Sequence, residues 1–226
     1  MTNRSNDYFL SFTLLDLKFF PGLRIIDNFS DCISFNVCDK EKDNKSRIHQ
    51  LDEIVLESSS SLSVTIIASD MSIKNNIAMS IAHIHTYNKP LTKTIHHVVL
   101  ITSTEAELFV IRYGINQAIN FNNIAKIIVI TDFIHAARKI FDSLVHLYQI
   151  QSATILSKLH KFFNYHKDNF IEFWKCPSCF KWCLHSKVDK ETKSLNITPL
   201  YLCKSSWEFS KKSECDNIAN AWKIMF

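Results

Sequence analysis

A chain of 226 residues with 46% hydrophobic residues has room for one globular domain of about 130–200 residues plus tails. A net charge of +4 permits nucleic-acid binding without demanding it. No apolar run reaches the roughly 18–20 residues of a membrane span, and the N-terminal apolar stretch, interrupted by Asp16 and Lys18, lacks a signal-peptide cleavage site.

These features lead to the expectation of an intracellular protein, nuclear or cytoplasmic, whose seven cysteines are reduced. Glycine is scarce, with only Gly22 and Gly114 present. Turns that need positive φ then fall to Asn, and Asn75-Asn76, Asn88 and Asn122-Asn123 are the expected substitutes.

In chain order, residues 1–60 are mixed. Pro21-Gly22 breaks an aperiodic apolar stretch, and the charged run 39–50 reads as a solvated linker. Ser58 to Ser61 reads as a flexible polar stretch, which sets a domain boundary at about residue 60. The regular pattern begins at residue 62. Residues 62–69 read as a buried strand closed by Asp70, 78–85 as a second strand and 95–102 as a third, with the turn signal Asn88-Lys89-Pro90 between the last two. Together they predict an antiparallel meander.

The period then changes. Leu108, Ile111, Ile115 and Ala118 share one face of a helix over 104–120, capped by Ser103 or Thr104, with Glu107 in its first turn. Residues 124–131 form a fourth strand closed by Asp132. Helices follow over 133–144 and 152–166, then a fifth strand over 170–174 and a short helix over 185–194 that carries Asp189. Residues 196–226 are a poorly defined tail.

This order predicts an α/β fold, a mixed five-stranded sheet made of a three-strand antiparallel meander plus two parallel strands, with flanking helices. A right-handed crossover places the fourth strand parallel beside the first. Asp70 and Asp132 then end neighbouring strands about 5 Å apart, at the carboxyl edge where open α/β sheets bind ligands. Carboxylates gathered there cannot all stay ionised without cations, which points to a divalent-metal site and phosphodiester chemistry.

Four segments carry a family resemblance. They are Ala68-Ser69-Asp70-Met71-Ser72, Ala106-Glu107-Leu108, Ile128-Val129-Ile130-Thr131-Asp132 followed by Ala136-Ala137, and Ile171-Glu172-Phe173-Trp174 leading through Pro177-Ser178-Cys179 to Asp189. In order and spacing this set resembles the ribonuclease H family, most of all the ribonuclease H domains of non-long-terminal-repeat retrotransposons, over about residues 62–195. The resemblance implies a ribonuclease H-like domain at 61–195, with residues 1–60 a linker or remnant of an upstream retroelement region.

It also implies an endonuclease that cuts RNA in RNA–DNA hybrids. Its partner would be the hybrid, with no membrane and no stable protein partner. Two Mg²⁺ ions, with Mn²⁺ as the alternative, would be held by the catalytic residues Asp70, Glu107, Asp132 and Asp189. Lys74, Lys89, Lys93 and Lys181 are the basic residues expected to track phosphates. Two departures stand out. Met71 replaces a glycine, and Cys179 replaces the family's auxiliary histidine. His185, where the family has Asn, is the second auxiliary residue.

Plainer readings compete. Asp132 could simply cap the following helix. The stretch from Cys176 through Cys179 and Cys183 to His185 has zinc-ligand vocabulary, but its crowding disfavours Zn²⁺. His83 and His85 share a strand face that reads as half-exposed surface, whereas His96 and His97 face opposite ways. Phe162, Phe163, Trp174 and Trp182 read as core rather than as a base-stacking platform. Two functional alternatives therefore stand beside the nuclease. One is a decayed fragment that at most binds nucleic acid, which the glycine loss, Met71 and Cys179 favour. The other is a zinc-stabilised binding module.

Overall fold

The computed structural model describes residues 25–37, 43–74, 77–87, 92–99, 102–121, 123–142, 149–176 and 182–194. A 3-10 segment at Ile25–Cys32 leads into β1 (Ile33–Val37), α1 (Asn44–Ser59), β2 (Val64–Lys74), β3 (Ile77–Thr86) and β4 (Thr92–Val99). There follow α2 (Ser103–Ile119), β5 (Lys126–Thr131), α3 (Ile134–Ile140), α4 (Gln149–Tyr165), β6 (Phe170–Lys175) and α5 (Cys183–Ser194). No helix among the described residues is long and apolar enough to cross a membrane.

The strands form one sheet in the order β1-β6-β5-β2-β3-β4. β2, β3 and β4 are the expected antiparallel meander. β5 lies parallel beside β2, as the crossover through α2 requires, and β6 lies parallel beside β5. β5 is almost wholly buried, which explains its continuous apolar run: helices cover both faces of this part of the sheet. On one face, Ile67, Ile127, Val129, Ile171 and Phe173 pack in the main core with α2, α3 and α4. On the other, Ile66, Ile128 and Ile130 pack with Leu51 of α1 and with Trp182. α5 adds Val188 against Ala68 and Ile81.

The sheet has six strands where five were expected. β1 pairs in parallel with β6 from Ile33↔Ile171 to Val37↔Lys175, and Phe35 stacks on Phe173 with ring centroids 5.0 Å apart. The charged run expected to be a linker is helical from Asn44, and the helix continues to Ser59 through the serines expected to be flexible. Asp43 starts this helix by accepting the Ser46 amide at 2.7 Å. Its apolar residues Ile48, Leu51, Ile54 and Val55 then fall on the face that meets the sheet.

Other boundaries move for local reasons. β2 does not end at Asp70 but runs on to Lys74, because β3 continues to pair with it. β4 occupies Thr92–Val99 rather than 95–102, which frees Thr102 to cap α2. The cap is thus Thr102, whose Oγ1 accepts the Glu105 amide at 3.3 Å, and not Ser103 or Thr104. α3 stops at Ile140, short of the expected 144.

The two scarce-glycine expectations meet described residues once each. Asn123 adopts φ 65°, the left-handed conformation anticipated for it. Gly114 sits where α2 crosses β2, and a Cβ there would come 2.6 Å from Ile67 Cγ2. Asn75-Asn76, Asn88 and Asn122 lie outside the described residues, as does the tail 196–226.

Candidate metal centre

The parallel register of β2 and β5 runs to Ala68↔Ile130. Two residues further along each chain come Asp70 and Asp132, so side chains of the same parity project on the same side of the sheet. Asp70 is 4% exposed and still paired with Ile81 of β3. Asp132 lies just past the end of β5 and is half-buried. It does not cap α3, whose first turn has no side-chain cap bond. The nearby Phe133 amide is taken instead by Thr131 Oγ1 at 3.1 Å.

α2 approaches from the opposite face and brings Glu107 to this edge. Glu107 is 3% exposed, and its Oε2 has no hydrogen-bond partner. α5 closes the site from the other side. His185, Asp189 and Thr192 recur at helical spacing and so share one face of it. His185 is 3% exposed, and its Nε2, 3.9 Å from Asp70 Oδ1, makes no hydrogen bond. Ligand atoms of Asp70, Asp132 and His185 all lie within 4.8 Å of one another. Asp189 is half-buried and paired with Lys193 one turn on.

The electrostatics follow from this convergence. Burial, then the charges of Asp132 and Asp189, push the Asp70 carboxyl up to about 7. Burial, then Asp132 and Asp70, hold Glu107 well above the ordinary carboxylate range. For His185, burial outweighs the upward pull of Asp132 and Asp189 and lowers its pKa. Asp70 and Glu107 thus each respond to two other acids, and the charge of Lys193, paired with Asp189, also acts on Asp70 and Asp132.

Two contacts fix α5 in place. The fully buried His83 of β3 meets Glu191, with Nε2 3.1 Å from Oε2. Thr192 Oγ1 donates to the Asp189 carbonyl at 2.8 Å and lies 3.4 Å from Asp70 Oδ2. Thr192 and the His83–Glu191 pair were not anticipated. The i, i+4, i+7 spacing of His185, Asp189 and Thr192 was the readable signal for Thr192. The expectation that His83 lies on a half-exposed surface is corrected: α5 covers β3 at that point.

The remaining sequence candidates divide. Cys179, Lys89 and Lys181 fall outside the described residues, as do the side chains of Lys74, Lys93, His96 and His97. Cys176 is buried with Leu51, Ile66 and Trp182, and Cys183 is exposed. Phe162 and Phe163 lie in the main core, and Trp182 lies in the cluster on the other face of the sheet, against which Trp174 packs. Met71 packs against Ala106 and Phe109 of α2, away from α5 and the face that bears Asp70.

No family model matches the chain, and no curated protein matches it. Among solved structures it is similar to the N-terminal RNase H domain of a Mycobacterium tuberculosis protein, solved as a fusion with maltose-binding protein. The identity is 14%, over 58% of this chain and 98% of that one, with a TM-score of 0.40. It is also similar to RNase H1 from the halophilic archaeon Halobacterium salinarum, at 9% identity over 57% of this chain and 98% of that one, with a TM-score of 0.41.

Proposed function

We propose that this chain is a divalent-metal-dependent endonuclease of the ribonuclease H type that cuts the RNA strand of RNA–DNA hybrids and derives from a retrotransposon. One observation carries the reading: Asp70 and Glu107, from two separate elements, are both buried with raised carboxyls, and the charge of Asp132 acts on both while that of Asp189 acts on Asp70. A purely structural cluster of buried acids would be expected to have basic partners. Here the ion pair of Lys193 is with Asp189, and its charge also acts on Asp70 and Asp132 through space, one cation against four acids.

The donor set fits hard divalent cations. Glu107 Oε2 is buried without a partner, and burial together with the charges of Asp132 and Asp189 raises the Asp70 carboxyl to about 7, a cost that a bound cation would offset. Asp70, Glu107, Asp132 and Asp189 would hold the ions, Mg²⁺ or, as the alternative, Mn²⁺. When bound, such ions supply charge neutralisation at the scissile phosphodiester and make water a better nucleophile at neutral pH.

The chain's own residues do the rest. Asp70 and Asp132 fix the centre on the sheet, since each continues a strand held by neighbours on the register above. Glu107 supplies negative charge from beneath through α2, whose start is set by the Thr102 cap. Asp189 stands at the rim, its charge moderated by Lys193, where a phosphate backbone would pass. Thr192 limits the rotation of Asp70. Met71 faces α2, so the departure from glycine does not obstruct the carboxylate face.

The test is cleavage of an end-labelled RNA annealed to DNA, with Mg²⁺, against single-stranded RNA and duplex DNA controls. The expected result is internal cutting of the hybrid's RNA strand, lost with EDTA and abolished in Asp132→Asn. Hybrid binding without cutting would replace this reading with the decayed-fragment one. Cutting indifferent to Asp132→Asn would place the chemistry elsewhere.

A further inference from the structure

The four acids are oxygen donors, placed as any carboxylate cluster would place them. α5 adds a donor of another kind. His185 brings a ring nitrogen within 4.8 Å of oxygens of Asp70 and Asp132, and its Nε2 lies on the side of Asp70 Oδ1. The imidazole is buried to 4% side-chain exposure, yet Nε2 has no hydrogen-bond partner. A buried ring nitrogen left unsatisfied is costly unless something occupies it. Its distance of 3.9 Å to Asp70 Oδ1 is too long for a hydrogen bond. Donors of one ion at about 2.0–2.2 Å lie at most about 4.4 Å apart, so these three atoms, all within 4.8 Å of one another, would close by a few tenths of an ångström around a bound ion.

We infer that His185 is a metal ligand, and that Asp70, Asp132 and His185 form a mixed nitrogen–oxygen site that selects a first-row transition ion such as Mn²⁺ over Mg²⁺. Imidazole is a borderline donor. It adds little for Mg²⁺, which prefers oxygen and keeps its waters, and it adds more for the first-row transition ions. Two carboxylates supply the charge, and the single nitrogen supplies the discrimination. Neighbouring residues support the placement. α5 is held by His83–Glu191, which leaves the ring of His185 little freedom to turn away. Asp189 and Lys193 pair with each other at the rim and do not compete for Nε2.

This inference rests on the acidic cluster being a metal centre, but not on its being a nuclease, and the two are read separately. The purified chain, stripped with chelator and reloaded with Mn²⁺, is examined by pulsed electron paramagnetic resonance, which detects ¹⁴N coupled to the bound ion. Wild type should show directly coordinated nitrogen. His185→Asn, which offers an oxygen in place of the nitrogen, should lose it. In competition titrations His185→Asn should bind Mn²⁺ about tenfold more weakly, with Mg²⁺ affinity changed less than about threefold.

Wild type without a nitrogen signal overturns the assignment, whatever the variant does. A nitrogen signal that persists in His185→Asn, or an equal loss of affinity for both ions, overturns it as well. Hybrid cleavage measured on the same preparations separates the two claims. A nitrogen signal without cleavage keeps His185 as ligand and removes the nuclease reading. Cleavage without the signal does the reverse.

Discussion

Trp182 Nε1 donates to Asp52 Oδ1 at 2.8 Å, joining α1 to the residue that precedes α5. The bond links two parts of the chain far apart in sequence, and both lie on the sheet face that carries the acidic edge. Leu51, next to Asp52, is fully buried against Ile66, Ile128, Ile130 and Cys176.

α1 therefore belongs to the folded unit. Leu51→Ala should cost about 2–5 kcal/mol in chemical denaturation, because it leaves a cavity among branched aliphatic residues. Trp182→Phe removes only the donor and should cost about 1 kcal/mol. A chain that starts at residue 61 should melt at a lower temperature than the full chain. Equal melting temperatures, with Leu51→Ala neutral, would detach α1 from the domain.

The acidic centre sets a pH dependence for the metal-free protein. In the folded protein burial and the neighbouring acids raise the Asp70 carboxyl to about 7 from the ordinary carboxylate value of about 4, and Glu107 is raised in the same direction. Between those values the folded state holds a proton that the unfolded state has released, so stability falls as pH rises. The chelated protein should be most stable at or below about pH 4 with respect to these groups and lose stability progressively up to about pH 7. Added divalent cation should restore the loss at pH 7. Asp70→Asn should flatten the pH profile and shrink the cation-induced rise in melting temperature. A chelated protein whose stability climbs between pH 4 and 7 would contradict this account of the site.

Gly114 is held by contact rather than by backbone conformation. Its Cβ position is 2.6 Å from Ile67 Cγ2 and 3.3 Å from Ile67 Cδ1. Gly114→Ala gains helix propensity but forces α2 off β2, and the net cost should be about 1–3 kcal/mol. Ile67→Ala makes room for the methyl, so the double variant should be less destabilised than the two single effects summed. Simple additivity in urea denaturation would show that the helix shifts without penalty.

Asn123 offers the complementary case. Its φ of 65° suits Asn and Gly far better than branched residues. Asn123→Val should cost about 1–2 kcal/mol, and Asn123→Gly should be neutral or stabilising. Equal stabilities for the two variants would mean that the turn rearranges.

Much of the arrangement was readable because two signals reinforced one another. The apolar runs leading to Asp70 and Asp132 fixed two strands, and the helix between them required a crossover that made those strands parallel neighbours. Glu107 followed from the start of that helix, and Asp189 from the family spacing after Pro177-Ser178-Cys179. What escaped were features defined across the chain. β1 is a short strand whose apolar residues gain meaning only beside β6, and α1 hides its Ile48, Leu51, Ile54 spacing among charges. The burial of His83 depends on α5 lying over β3, which no local pattern in β3 announces. The ring of His185 could be named as an auxiliary group, but its orientation towards Asp70 depends on how α5 is docked.

β2 outlasts its parallel neighbour. Past Ala68 the pairing with β5 stops, while β3 carries the strand on to Lys74. The result is a step in the sheet, with one wall of backbone already committed to its hydrogen bonds and the other ending in the turn at Asp132. A step made this way is built by strand length alone, so the places of Asp70 and Asp132 along the sheet are set by how far each strand is paired.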